Sequence, residues 1–115
     1  LKNFSLLDRQ DLGYVLSPAY DMVASGLVVE GDEEELALTL NGKKKNIRKK
    51  DFVEPMNLFN IDAKAIDNLF NKLRRSVDKW HDFINISYLP EEMKASYHDM
   101  IRERVARIYP HSIFI

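Results

Sequence analysis

Apolar residues recur at intervals of three and four between residues 66 and 84, and this periodicity constrains the fold more than any other feature of the sequence. The stripe consists of Ile66, Leu69, Phe70, Leu73, Val77, Trp80 and Ile84. Residues with this spacing share one side of an α-helix. Asp62 stands just before the stripe, where an N-cap residue is expected. The pattern predicts a long amphipathic helix whose apolar side, including Trp80, packs in a core.

Two further helices flank the long one in the predicted order. A second stripe follows Pro90, which with two glutamates after it is typical of a helix start. Its members are Met93, Tyr97, Met100, Ile101, Val105 and Ile108. A shorter pattern at Phe52, Met56 and Phe59 predicts a helix with Pro55 in its first turn, where proline is tolerated. Residues 47–115 are therefore expected to form a helical bundle, with the apolar tail at 112–115 docked on it.

The first 46 residues have the character of β-structure. Residues 4–7 and 14–16 are short β-prone runs joined by a polar loop that closes at Gly13, which predicts a hairpin. Residues 36–40 alternate leucine with other residues, and Asn41-Gly42 after them is a strong turn signal. The predicted fold class is α+β, mainly α, with an N-terminal β-hairpin and a short strand followed by a helical bundle. We expect one domain over residues 1–115.

The composition excludes several classes of protein. Seventeen lysines and arginines against eighteen acids give a net charge of −1, so no global field attracts nucleic acid or anionic membrane. The absence of cysteine excludes disulfides, thiolate zinc sites and thiol nucleophiles. Apolar runs are far shorter than the roughly 20 residues of a membrane span. We expect a soluble, cytoplasmic protein that does not bind membranes.

Asn3 and Asp21 stand at the two ends of the predicted hairpin. Closing the hairpin can bring an amide oxygen and a carboxylate together, and hard cations such as Mg²⁺ prefer these ligands. Protein kinases hold their metals with an Asn and an Asp in this way. On local grounds alone the two residues have other interpretations, since Asn often forms turns and Asp often caps helices.

Four segments resemble a known family in their order and spacing. They read Lys-Asn-Phe-Ser-Leu-Leu, Tyr-Val-Leu-Ser-Pro-Ala-Tyr-Asp-Met-Val, Leu-Ala-Leu-Thr-Leu-Asn-Gly-Lys-Lys-Lys-Asn-Ile and Lys-Asp-Phe. Together they resemble the C-terminal region of HipA-like serine/threonine kinases, the toxins of bacterial type II toxin–antitoxin modules. The resemblance is close over residues 1–53, and the later helices match in pattern only. It implies part of a kinase-like C-lobe.

The resemblance also implies a set of functional residues. The family's signature Asp-x-His-x-Lys-Asn is represented here by its last three positions, which end in Lys2 and Asn3. It assigns Lys2, Asn3, Tyr20 and Asp21 to nucleotide binding, and Asn3 and Asp21 to the metal. The catalytic base is expected three residues upstream of Leu1, so no catalytic base is assigned within this chain.

Activity, cofactors and partners follow from the same resemblance. The intact protein is expected to be a serine/threonine protein kinase that uses ATP and Mg²⁺ and is connected with bacterial persistence. Its substrate would be a protein, for example an aminoacyl-tRNA synthetase. Its partner would be a HipB-like helix-turn-helix antitoxin, with DNA reached only indirectly through that antitoxin.

An alternative function rests on the basic segment, residues 43–50, which has six cations in eight positions. Cations at the start of a helix oppose its dipole, so a role other than helix stability is plausible for this segment. The alternative is a non-enzymatic helical interaction module that contacts an antitoxin or DNA through these residues.

The three histidines show no sign of a metal site. His81, His98 and His111 lie on separate segments without metal-ligand spacing and are interpreted as surface residues.

Overall fold

The structure is a computed structural model that describes residues 3–110. Its elements, in chain order, are β1 (Leu6–Arg9), β2 (Gly13–Leu16), a short 3₁₀ turn (Ser25–Leu27), α1 (Lys49–Leu58), α2 (Ala63–Asn85) and α3 (Glu91–Ile108). An N-terminal hairpin followed by three helices confirms the predicted α+β, mainly α fold. The apolar tail lies outside the described residues.

The hairpin is a two-stranded antiparallel sheet. Its register pairs Leu6 with Leu16 and Arg9 with Gly13. Gly13 has φ 71°, a left-handed conformation in which a side chain would be strained, so glycine suits the end of the loop. The exposed strands present Leu6, Tyr14 and Leu16 to solvent.

The short strand expected at residues 36–40 is reduced to a single antiparallel bridge between Leu40 and Lys43. Asn41 and Gly42 have φ values of 50° and 75° and reverse the chain at once. Within residues 3–110 no other strand lies alongside this segment, and an alternating sequence forms a ladder only where a partner strand supplies hydrogen bonds.

The helix boundaries follow local signals with one exception. Asp62 caps α2 as predicted, because its carboxylate accepts from the backbone N–H groups of Lys64 at 2.9 Å and Ala65 at 3.3 Å. Pro90 is the N-cap residue of α3, which begins at Glu91. The prediction for Pro55 was wrong: α1 begins at Lys49, so the proline lies beyond the first turn, inside the helix.

The buried core is small and lies mainly along α2. Five of its six buried apolar residues come from the predicted stripes; the six are Ile47, Ile66, Phe70, Val77, Ile84 and Val105. Tyr109 packs edge-on against Phe70 with ring centroids 6.4 Å apart, and its hydroxyl donates to the Phe70 carbonyl at 2.6 Å. Trp80 was expected in the core, but its residue is 37% exposed. The core is too narrow to cover the whole stripe.

Two carboxylates attach the loops to the helices. Asp51 is fully buried and accepts from the Arg48 backbone N–H at 2.9 Å, with Lys43 Nζ 3.0 Å away. These two neighbours hold the pKa of Asp51 below its ordinary value. Glu35 pairs with Arg107 on α3, and both side chains are more than four-fifths buried. The loop between hairpin and α1 is thereby fixed to both ends of the helical part.

Among the described helices, none has the length and apolar character needed to cross a lipid bilayer.

Candidate functional site

The hairpin closes through a series of hydrogen bonds that ends at Asn3 and Asp21. At its base, the Ser17 backbone N–H donates to the Ser5 carbonyl at 2.7 Å, and the buried Ser17 hydroxyl accepts from the Ser5 N–H at 3.0 Å. Further out, the Tyr20 N–H donates to the Asn3 carbonyl at 3.2 Å. The Asn3 side-chain Nδ2 then donates to the Asp21 carbonyl at 2.9 Å. Two residues eighteen positions apart are thus held side by side.

The donor set at this end of the hairpin suits a hard cation. Nδ2 of Asn3 is engaged with the Asp21 backbone, which leaves Oδ1 as the free end of the amide. Asp21 is exposed and has φ 53°, a left-handed conformation that Asp adopts more readily than most residues. One amide oxygen and one carboxylate fit Mg²⁺ that keeps its other positions for phosphate and water. Across residues 3–110 no cluster of three or more His, Asp or Glu could hold a metal alone.

Asn3 also lines a cavity of about 520 Å³ that reaches α3. Tyr97 and Arg104 line the same cavity, and sequence reasoning did not assign either to the site. The spacing of Arg104 in the sequence could have identified it as a residue of the site. It stands four residues before Ile108 and four after Met100, among the apolar positions of α3. A cation at that position faces the protein and not open solvent.

Tyr20 and Lys2 are the other two residues that the resemblance assigns to nucleotide binding. Tyr20 contributes its backbone N–H to Asn3, while the residue is 47% exposed and does not line the cavity. Lys2 lies outside the described residues. The structure therefore brings together Asn3, Tyr20 and Asp21, with the contacts carried mainly by backbone groups.

The sequence was compared with models of known protein families. The model of the HipA-like C-terminal domain matches residues 1–81, well over half of the chain. The chain belongs to this family. The match includes the hairpin, α1 and most of α2, and it confirms the resemblance drawn from the four segments above. A search of curated proteins found no match.

The basic segment of this HipA-like domain, residues 43–50, divides into two halves. Lys43, Lys44 and Lys45 pair with Asp51, Glu34 and Glu33 at 3.0, 3.2 and 2.9 Å. Arg48, Lys49 and Lys50 form no ion pair with a carboxylate in the part of the chain that the structure describes. Three of the six positive charges in residues 43–50 are therefore neutralised within the fold.

His81 on α2 and His98 on α3 are in contact between the two helices. Both rings are half-buried, and their centroids lie 4.8 Å apart. The two residues lie on separate helices, as expected, but their interpretation as surface residues holds only in part, because both are half-buried and in contact with each other. His111 lies outside the described residues. A signal was present, since His81 is four residues after Val77 and three before Ile84, which is the spacing of the buried stripe.

Proposed function

We propose that this chain is the C-terminal part of a HipA-like serine/threonine protein kinase that transfers the γ-phosphoryl group of ATP to a protein hydroxyl. Membership of the HipA-like C-terminal domain family supports the proposal. The observation that carries it is the hydrogen bond of 2.9 Å from Asn3 Nδ2 to the Asp21 backbone carbonyl, which holds the two proposed ligand residues side by side. No wider cluster of ligands is required, because nucleotide phosphates complete the coordination of Mg²⁺ in kinases.

Asn3 Oδ1 and the Asp21 carboxylate would hold Mg²⁺, which supplies neutralisation of phosphate charge when bound. The chain's own part is positioning. The hydrogen bond from Asn3 to the Asp21 backbone holds the two residues next to each other, and the bonds between Ser5 and Ser17 hold together the hairpin that carries them. Lys2 is proposed to contact phosphate oxygens, and Tyr20 to border the nucleotide. Prepositioned charge of this kind is the main source of catalysis in phosphoryl transfer.

Membership of the family is the only support for the setting of the reaction. We propose a cytoplasmic bacterial toxin whose activity is controlled by a HipB-like helix-turn-helix antitoxin. The proposed substrate is a protein of the translation apparatus, such as an aminoacyl-tRNA synthetase.

Replacing Asp21 tests the kinase assignment. In the full-length gene product, Asp21→Ala is expected to abolish phosphoryl transfer and Mg²⁺-dependent ATP binding with only a small fall in melting temperature, because the side chain is exposed and alanine tolerates φ 53° less well than Asp. Asp11→Ala is the matched control: it removes the same charge from the hairpin loop, where Asp11 makes only an exposed ion pair of 3.6 Å with Arg9. Normal autophosphorylation by the Asp21 variant would refute the assignment.

A further inference from the structure

A second cavity, of about 440 Å³, lies between the start of α1 and the end of α3, apart from Asn3 and Asp21. On one side it is lined by Arg48, Lys49 and Lys50, and on the other by residues 107–110, which include Arg107 and Tyr109. Four of its seven lining residues are cations, and none is acidic. Its volume is within the usual range of about 300–1,000 Å³ for small-molecule sites.

Three of the four cations at this cavity, all on the α1 side, are ones that the fold leaves unneutralised. Arg48 and Lys50 are exposed, and neither forms an ion pair with a carboxylate within residues 3–110. Lys49 has its Nζ 4.9 Å from the centre of the Phe70 ring, a contact that fixes the side chain and keeps its charge. Three like charges in successive positions repel one another, and an anion between them removes that repulsion.

Arg107 adds an unsatisfied guanidinium on the opposite side. Its Nη2 pairs with Glu35 and, at 3.7 Å, with Glu103. Its Nε and Nη1 atoms are buried and have no hydrogen-bond acceptor in the described part of the chain. Buried N–H groups without an acceptor are rare in folded proteins, and they indicate that an acceptor belongs nearby.

We propose that this cavity binds a small phosphate-bearing molecule, with its phosphate oxygens on Arg48 and Lys50 and with the buried Arg107 guanidinium behind the opposite wall. Guanidinium groups match phosphate in geometry, and lysines add charge without directional demand. Ile108, Tyr109 and Pro110 form an apolar wall that suits a ligand with a flat organic body, such as a nucleotide. Duplex DNA is disfavoured, because half of the basic segment is neutralised and the chain as a whole carries a charge of −1.

Binding of sodium pyrophosphate and of GDP tests this proposal, by calorimetry in EDTA so that the metal-dependent site proposed at Asn3 and Asp21 makes no contribution. Both probes are expected to bind. Equal affinities would identify free polyphosphate as a sufficient ligand, and tighter binding of GDP would place its base on the apolar wall. Both results support the site. Failure of both probes to bind at millimolar concentration would overturn it.

A pair of double variants distinguishes a built site from general electrostatic attraction. Arg48→Gln with Lys50→Gln should weaken binding of pyrophosphate by about tenfold or more, since each removes a charged hydrogen bond. Lys44→Gln with Lys45→Gln removes the same charge from the neutralised half of the segment and should change the affinity by less than about twofold. Equal losses in the two double variants would overturn the proposal.

A short DNA duplex completes the test. Duplex binding that the Arg48 and Lys50 substitutions abolish, with no binding of pyrophosphate, would overturn the small-ligand proposal in favour of a nucleic-acid surface. Circular dichroism and melting temperatures of all variants verify that the fold is retained.

Discussion

The Nδ1 atoms of His81 on α2 and His98 on α3 lie 2.6 Å apart. Asn85 Oδ1 lies 2.9 Å from the other ring nitrogen of His98. An amide oxygen only accepts, so Nε2 of His98 carries its proton and Nδ1 of neutral His98 is the acceptor. His81 Nδ1 must then be the donor. The neutral pair forms a continuous chain of hydrogen bonds across the two helices, and protonation of both rings would break it.

Acidification should therefore weaken the pairing of α2 with α3. Burial, followed by the positive charges of His98 and Arg102, lowers the pKa of His81 below its ordinary value of 6.5, against the opposing effect of Asp78 and Asp82. The pKa of His81 is thus about 6.5 in the unfolded chain and lower in the folded one. Between these two values the unfolded chain binds more protons than the folded chain, so the free energy of unfolding falls as the pH drops. Urea denaturation from pH 8 to pH 5 should show this loss beginning near 6.5.

The variant His81→Gln serves as the control for that measurement. It removes the titrating group, and it should therefore reduce the slope of stability against pH between about 6.5 and the lower pKa of the folded protein. An unchanged slope in this variant would show that other groups produce the pH dependence.

Two glutamates of the same loop should differ sharply in their effect on stability. Glu35→Ala leaves the buried Arg107 guanidinium without its main partner, and it also removes the acceptor for the backbone N–H groups of Asn46 and Ile47. We expect a loss of about 2 kcal/mol or more in the free energy of unfolding. Glu33→Ala removes only an exposed pair with Lys45 and should have no measurable effect.

The contribution of Glu35 to the free energy of unfolding is also expected to depend on pH. Burial raises the pKa of Glu35, but Arg107 and the two backbone donors outweigh it, so the pKa lies below the ordinary value of 4.5. The stability from Glu35 is complete above pH 4.5 and is lost as the pH falls through the lower folded value. Equal destabilisation by the two substitutions at neutral pH would contradict the assigned role of Glu35.

The cap of α2 can be tested through Asp62. Asp62→Ala removes the acceptor for the N–H groups of Lys64 and Ala65 and should reduce the free energy of unfolding by about 1 kcal/mol. Asp62→Asn keeps an oxygen at the same place and should retain most of that stability. Urea denaturation followed by the fluorescence of Trp80, the single tryptophan, measures both. Equal losses would show that charge, and not the cap hydrogen bonds, is responsible.

The proline inside α1 is expected to destabilise the helix. Pro55 lacks the N–H that would bond to the Asp51 carbonyl, and its ring crowds that carbonyl. Pro55→Ala should raise the free energy of unfolding by about 2 kcal/mol, after allowance for the greater freedom of the unfolded chain. Pro18→Ala, in a segment outside the helices and strands, is the control and should give no gain. A loss of stability in the Pro55 variant would contradict this account of α1.

The helical half of the fold and its family were accessible from the sequence for local reasons. The stripe of α2 and the cap at Asp62 depend on residues three or four positions apart, and helix geometry converts such spacing directly into a shared face. The four N-terminal segments carried the resemblance that the family match over residues 1–81 confirms. The assignments of Asn3 and Asp21 to a metal, and of ATP as cofactor, stay predictions.

The local rules failed where contacts between distant segments decide the outcome. The strand at 36–40 needed a partner strand beside it, and Trp80 needed a neighbour wide enough to cover it. Neither requirement is encoded in the periodicity of the segment itself, because a pattern specifies which face is apolar and leaves open what packs on it.

The tertiary structure was needed most to show which charges are paired and which histidines share a proton. The sequence shows six cations in residues 43–50, and only packing against the acidic loop distinguishes the neutralised Lys44 and Lys45 from Arg48 and Lys50 at the second cavity. His81 and His98 are seventeen residues apart, and their contact exists because α2 and α3 pack side by side. Hydrogen bonds and ion pairs form only at separations of a few ångströms, and distances of that size between remote residues are set only when the helices and loops dock.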